Sequence, residues 1–233
     1  MFLPLYDGVA LIYLRRAWAT HALILANVAI FLAMNAGLLG DPDRMDLVLG
    51  AIPAVLFDHA ALAKGLEIVP APMTLVTGMF LHGGWAHLIG NMLFLWVFGD
   101  NVEDAMGSAR FLVFYLASGI AGTLVYAFID PLSESPLIGA SGAIAGVIAA
   151  YMLLYPGQKI FGLAFQIIPV HIPAIWFLGF WFLFQVFSAL TVHASEVGFW
   201  AHVGGFVCGA ILTPLLKRRE APMPGWRAAM APN

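Results

Sequence analysis

The chain has 233 residues, 62% of them hydrophobic and only 10% charged, with a mean hydropathy of +0.92. Globular domains average about 45–50% apolar and about 25% charged residues, so lipid must be part of this chain's solvent. The net charge of −3, with no basic run beyond Lys217-Arg218-Arg219, argues against a nucleic-acid partner.

Residues 1–17 read as a cytoplasmic N-terminal segment. Asp7 precedes Arg15-Arg16, and the apolar run that follows is longer than a signal-peptide core of about 7–15 residues, so that run is expected to be a retained span. A membrane helix needs about 20 largely apolar residues. On that scale the sequence predicts six spans: Trp18–Leu39, Gly83–Gly99, Phe111–Ile129, Leu137 to just before Tyr155, Pro173–Val192 and Phe199–Leu216. The expected fold class is an all-α membrane protein, a six-helix domain over 18–216 with a long first extracytoplasmic loop. That loop, about Gly40–His82, has apolar stretches interrupted by Pro53, Pro70 and Pro72, which suit the membrane interface better than a span. The Pro- and Ala-rich tail, 217–233, reads as cytoplasmic and disordered. With the N-terminus inside, the inner segments hold Arg15, Arg16, Arg110, Lys159, Lys217, Arg218, Arg219 and Arg227, and the outer ones only Arg44 and Lys64. Cytoplasmic loops gather Lys and Arg, which puts both termini in the cytoplasm and fits a bacterial inner membrane.

Polar side chains inside spans are costly and are functional candidates by default. Four stand out: His87 and Asn91 in span two, Ser141 in span four and His202 in span six. All three spans run inward, so these groups share one level near the outer face. A stripe of small residues follows Ser141 (Gly142, Ala145-Gly146, Ala149-Ala150) and another flanks His202 (Ala201, Gly204-Gly205, Gly209). Small residues four apart let membrane helices approach closely, as a hydroxyl–imidazole hydrogen bond of ~3 Å requires. Ser141 opens its helix, near free N–H groups and the positive end of the helix dipole, where an oxyanion is stabilised. His87 and Asn91, four apart, project from one face and are placed to donate to the same oxyanion.

A triad needs an acid beside the histidine. Asp100 lies thirteen residues beyond His87, roughly 20 Å along a helix, and is out of reach with Glu103. Glu196, just before span six, is the one nearby carboxylate, and a Ser–His dyad without it is the preferred reading. Taken singly, an intramembrane serine is more often structural, bonded to a carbonyl one turn back. His82, His171 and His193 lie near span ends and His21 at the start of span one, where none needs a catalytic role. The single cysteine, Cys208, excludes an internal disulfide and a multi-cysteine zinc site.

These motifs carry a resemblance. FLHGGWAHLIGNMLFLWVFGDNVEDAMG (Phe80–Gly107), GASG (Gly139–Gly142) and AHVGG (Ala201–Gly205) are similar, in order, to the three motifs of the rhomboid family of intramembrane serine proteases. The resemblance covers the chain from Trp18 to Leu216. It implies a six-helix bundle with a water-filled cavity open to the outer side, cutting transmembrane segments of other membrane proteins within lipid, without metal or cofactor. It implies Ser141 as nucleophile and His202 as general base. His87, Asn91 and the Ser141 N–H would form the oxyanion hole, and His82 would line the cavity. Three departures follow: Ala145 stands where some members stack a tyrosine on the histidine, Ala105 where some carry an arginine, and the first loop has no Trp-Arg pair. Two other readings compete. A rhomboid-like protein that binds transmembrane helices without cutting them would be expected to lack one of the pair. A small transporter would need internal symmetry and midplane charges, neither of which is present.

Overall fold

The computed structural model describes residues 2–165, 167–192, 198–221 and 223. The long helices are α1 (Trp18–Asn35), α5 (Trp85–Met106), α6 (Ser108–Ile129), α7 (Ser141–Leu154), α8 (Ala174–Thr191) and α9 (Phe199–Leu216). Short helices α2 (Pro42–Leu49), α3 (Pro53–Leu56) and α4 (Thr74–Thr77) occupy the connection after α1. Each of the first two has proline in its first turn, where no N–H is required.

Four described helices, α1, α6, α8 and α9, are long and apolar enough to cross a membrane. Their exposed faces are greasy: α8 turns Trp176, Phe180, Leu183, Phe184, Phe187 and Leu190 outward. α5 is as long as α6 but ends in Asp100, Glu103 and Asp104. α7 has only 14 residues, about 21 Å at 1.5 Å per residue, which is short of a hydrocarbon core of about 30 Å. It sits at the centre, in contact with α5, α6, α8 and α9, and eleven of its residues are buried. A helix walled in by others meets protein rather than lipid and need not match the bilayer.

The fold is mostly helical rather than all-α, which corrects the sequence expectation. Strands β1 (Phe2–Tyr6), β2 (Lys159–Ala164) and β3 (Ile168–Pro173) form one antiparallel sheet in that order. β2 and β3 form a hairpin between α7 and α8, in register from Lys159↔Pro173 to Ala164↔Ile168. β1 adds to its edge, with Phe2 opposite Ala164. Isoleucine, valine and phenylalanine favour this pairing. The prolines of β1 and β3 stand in edge strands, where a missing N–H is tolerated.

The N-terminal segment is held against the ends of α5 and α7. Asp7 accepts from the Tyr151 hydroxyl at 2.7 Å and the Asn101 amide at 2.8 Å. Asp104 accepts the N–H groups of Ile12, Tyr13 and Leu14 at 2.6–2.8 Å. Glu103 receives the Ala19 and Thr20 N–H groups at 3.0 and 2.7 Å, capping an α1 that has no capping side chain of its own. Residues 217–221, counted with the tail by sequence, fold back here. The Arg218 N–H meets the Ala105 carbonyl at 2.7 Å, and its guanidinium lies 5.5 Å from the Tyr13 ring centroid.

Candidate active site

Ser141 and His202 come together through backbone contact. A Cβ on Gly205 would collide with the Gly142 carbonyl oxygen, and one on Gly209 with the Gly146 backbone. Hydrogen at these positions lets α7 and α9 touch main chain to main chain, as small-residue stripes permit. At the start of both helices the approach leaves His202 Nε2 2.8 Å from Ser141 Oγ.

The serine's approach is set by the segment before α7. Leu137 and Ala51 exchange N–H and carbonyl bonds of 2.8 and 3.0 Å, and the Gly139 N–H donates to the Gly78 carbonyl at 2.8 Å. The connection between α1 and α5 is thus stitched to the strand-like lead into Ser141. Gly139 has φ +115, a region that L side chains rarely adopt, and a Cβ there would lie 2.7 Å from the His87 ring. His87 therefore packs closely against the turn, with Asn91 one turn further along α5. The helical ladder of α7 begins with the Ile144 N–H on the Ala140 carbonyl. The N–H groups of Ser141, Gly142 and Ala143 are left outside it.

Two side chains in this region carry buried polar atoms without a partner. Asn91, 8% exposed, has an unpaired Nδ2, and His82, 3% exposed, has neither ring nitrogen bonded. The His82 and His87 ring centroids lie 5.0 Å apart, edge to face. Unpaired buried donors are costly and ask for an explanation; Asn91 Nδ2 would lie 3.7 Å from a Cβ built on Gly139, beside the turn that leads into Ser141. A pocket of about 10 Å³, roughly one water in size, adjoins Ser141 and is lined by Met79, Leu137, Gly142 and Ala201 among others.

The other ring nitrogen of His202 was not accounted for by sequence. Nδ1 lies 2.8 Å from Oε1 of Gln185, and the Trp181 ring, one turn earlier on α8, covers the imidazole at 5.8 Å with a tilt of 35°. A lone amide in the apolar run Trp181–Leu190 was the available signal. Ala145, in the position where a stacking tyrosine is missing, is fully buried in α7, and Trp181 supplies an aromatic face from another helix. Glu196 and His193 lie outside the described residues. Among the described residues, no three His, Cys, Asp or Glu side chains gather as metal ligands.

A helical membrane protein with a serine–histidine contact at two helix starts is the class these observations define. Residues 70–219 match the family model described as Rhomboid domain, and the chain belongs to the rhomboid family. It is 28% identical to "RHOMBOID-like protein 6, mitochondrial" of Arabidopsis thaliana, over 90% of this chain and 71% of that protein. It is 37% identical to "Rhomboid protease GluP" of Bacillus subtilis, over 67% of this chain and 28% of that one. With "Rhomboid protein 1, mitochondrial" of Saccharomyces cerevisiae the identity is 29%, over 62% and 42%. The chain thus spans less than half the length of the last two relatives.

Proposed function

We propose that this protein is an intramembrane serine endopeptidase that cuts transmembrane segments of other membrane proteins. The observation that carries this reading is the 2.8 Å contact between Ser141 Oγ and His202 Nε2. Family membership and the protease named among the relatives support it.

In this mechanism His202 Nε2 takes the Ser141 proton as Oγ attacks the peptide carbonyl. The oxyanion that forms is met by the Ser141 N–H, the Asn91 amide and His87. Collapse breaks the C–N bond, the proton on Nε2 passes to the leaving amine, and an acyl-enzyme remains. Water, deprotonated by the same nitrogen, then releases the acid and restores the hydroxyl. His82 lines the cavity. No metal or cofactor takes part in the steps proposed.

The same reading takes α5 and α7 as the second and fourth of six spans, with both termini cytoplasmic and the site toward the extracytoplasmic side of a bacterial inner membrane. The excess of Lys and Arg on the inner segments supports that orientation. The connection over residues 40–82 is then the long outer loop, and its bonds to Leu137 and Gly139 give it a part in holding the nucleophile.

Ser141→Ala is the decisive variant. Cleavage of a single-span reporter, and labelling by a serine-reactive fluorophosphonate, should both disappear. Cleavage that continues unchanged in Ser141→Ala would refute this mechanism, whereas a wild type that holds the reporter but cuts none of it would be a binder of transmembrane helices.

A further inference from the structure

We propose that Gln185 is a third member of the site: a positioning residue that fixes the tautomer and orientation of the His202 ring. The inference rests on the proposed Ser141–His202 chemistry and goes beyond it.

To accept the serine proton, Nε2 must carry a free lone pair, so the neutral ring must hold its hydrogen on Nδ1. A hydrogen there needs an acceptor, and Gln185 Oε1 stands 2.8 Å away. The amide is itself oriented: its Nε2 faces the Trp181 carbonyl at 3.4 Å, a long contact that leaves Oε1 as the atom turned to the ring. Gln185 is 5% exposed in a helix whose other polar residues are Ser188 and Thr191, and an unbonded amide there is costly. Leucine would fill that position without such a cost if packing were all that was needed.

Trp181 and Gln185, four apart on α8, both meet the ring, one through a tilted ring contact and the other through Nδ1. Between them they account for the ring's orientation with Ala145 on α7. During reaction the proton moves from Oγ to Nε2 while Nδ1 keeps its hydrogen and goes on donating it to Oε1, so the amide neither gains nor loses a proton. Being neutral, it holds the ring without placing a second charge inside the membrane, which would be expensive. The other titratable side chain that bears on His202 among the described residues is His87 of α5.

The test compares wild type with Gln185→Leu and Gln185→Glu. For Gln185→Leu, kcat on the reporter should fall about 10- to 100-fold with KM within about twofold, since general-base action is worth about 10²–10⁴ and the ring is only partly misplaced. Gln185→Glu keeps the acceptor and should restore most of the rate. Its carboxylate favours the imidazolium, so the acid limb of the kcat profile should move to higher pH. Wild-type kcat in Gln185→Leu, or equal losses in both variants with an unmoved pH profile, would overturn the proposal. A second measurement needs no substrate: ¹⁵N spectra of ring-labelled protein, assigned with His202→Ala, should report the Nδ1–H tautomer in wild type and a mixture in Gln185→Leu. An unchanged tautomer in Gln185→Leu would also overturn it. Should wild type cut nothing while the tautomer still responds to Gln185→Leu, the positioning role stands and the protease reading falls.

Discussion

Gly205→Ala tests whether the site depends on the packing of α7 against α9. An added Cβ would collide with the Gly142 carbonyl oxygen and would lie 2.8 Å from its carbon. Both are main-chain atoms, so no side chain can rotate away and the helices themselves must part. Ordinary contact between carbons is about 3.5–4.0 Å, which sets the displacement at roughly 1 Å. The Ser141–His202 bond, now 2.8 Å, would open to roughly 4 Å, beyond hydrogen-bond reach. A misplacement of that size costs about 100-fold in rate, and overpacking costs about 1–3 kcal/mol of stability. Reporter cleavage in proteoliposomes and thermal unfolding in detergent measure the two effects. Gly179→Ala is the control, because on α8 the nearest atom to its Cβ would be Met152 Sδ at 4.0 Å. It should keep full activity and gain about 0.5–1 kcal/mol from helix propensity. Wild-type cleavage by Gly205→Ala would refute the reasoning, since the small stripes would then not govern the contact.

Gly139→Ala should cost about 10²–10³ in kcat, the size of a lost oxyanion donor, because the new Cβ displaces His87; kinetics with an unmoved kcat would contradict this. Glu103→Ala removes the acceptor for Ala19, Thr20 and Ser108 at once, and should destabilise the fold by about 2–4 kcal/mol in a denaturation series. Burial pushes the Asp7 carboxyl above its usual value, and the hydrogen bonds from Tyr151 and Val9 only partly oppose this. The native state therefore binds this proton more tightly than the unfolded chain. The resulting stability is full below the ordinary value of 3.8 and is lost as pH rises through the raised one. Wild type should accordingly lose Tm with rising pH across that window more steeply than Asp7→Asn, and parallel Tm curves would exclude the effect.

Part of this was legible in the sequence because polar atoms in apolar helices are conspicuous. Ser141 and His202 were singled out 61 positions apart, and they lie in contact. Gln185 gave the same kind of signal, yet an amide suggests no proton transfer, and its value appears only once Nδ1 of His202 is seen to need an acceptor. The sheet was hidden for another reason. Lys159–Pro173 reads as a connector with scattered apolar residues, and one of its strand partners, Phe2–Tyr6, lies more than 150 positions away. Non-local pairing leaves no periodic trace in either segment alone. Asp7 likewise resembles any acid in a soluble leader until Tyr151 and Asn101 close over it.

The two ends of the helical core are built on different chemistry, and the difference has a physical reason. At the end holding Asp7, Glu103 and Asp104, carboxylates are saturated by backbone N–H groups, hydroxyls and amides, so each buried charge has its partners. Such an end resists movement, because separating any pair strands a charge away from water. Around Ser141 the contacts are neutral: glycine against glycine, an imidazole between a hydroxyl and an amide, and an Asn91 amide with a free donor. Neutral contacts are cheaper to open, which suits the proposed reading, in which the site admits a peptide carbonyl. The rigid end holds α5 and α7 fixed relative to each other, so the Ser141 turn and the His87 ring stay in register while α8, mostly facing outward, carries the orientation of His202.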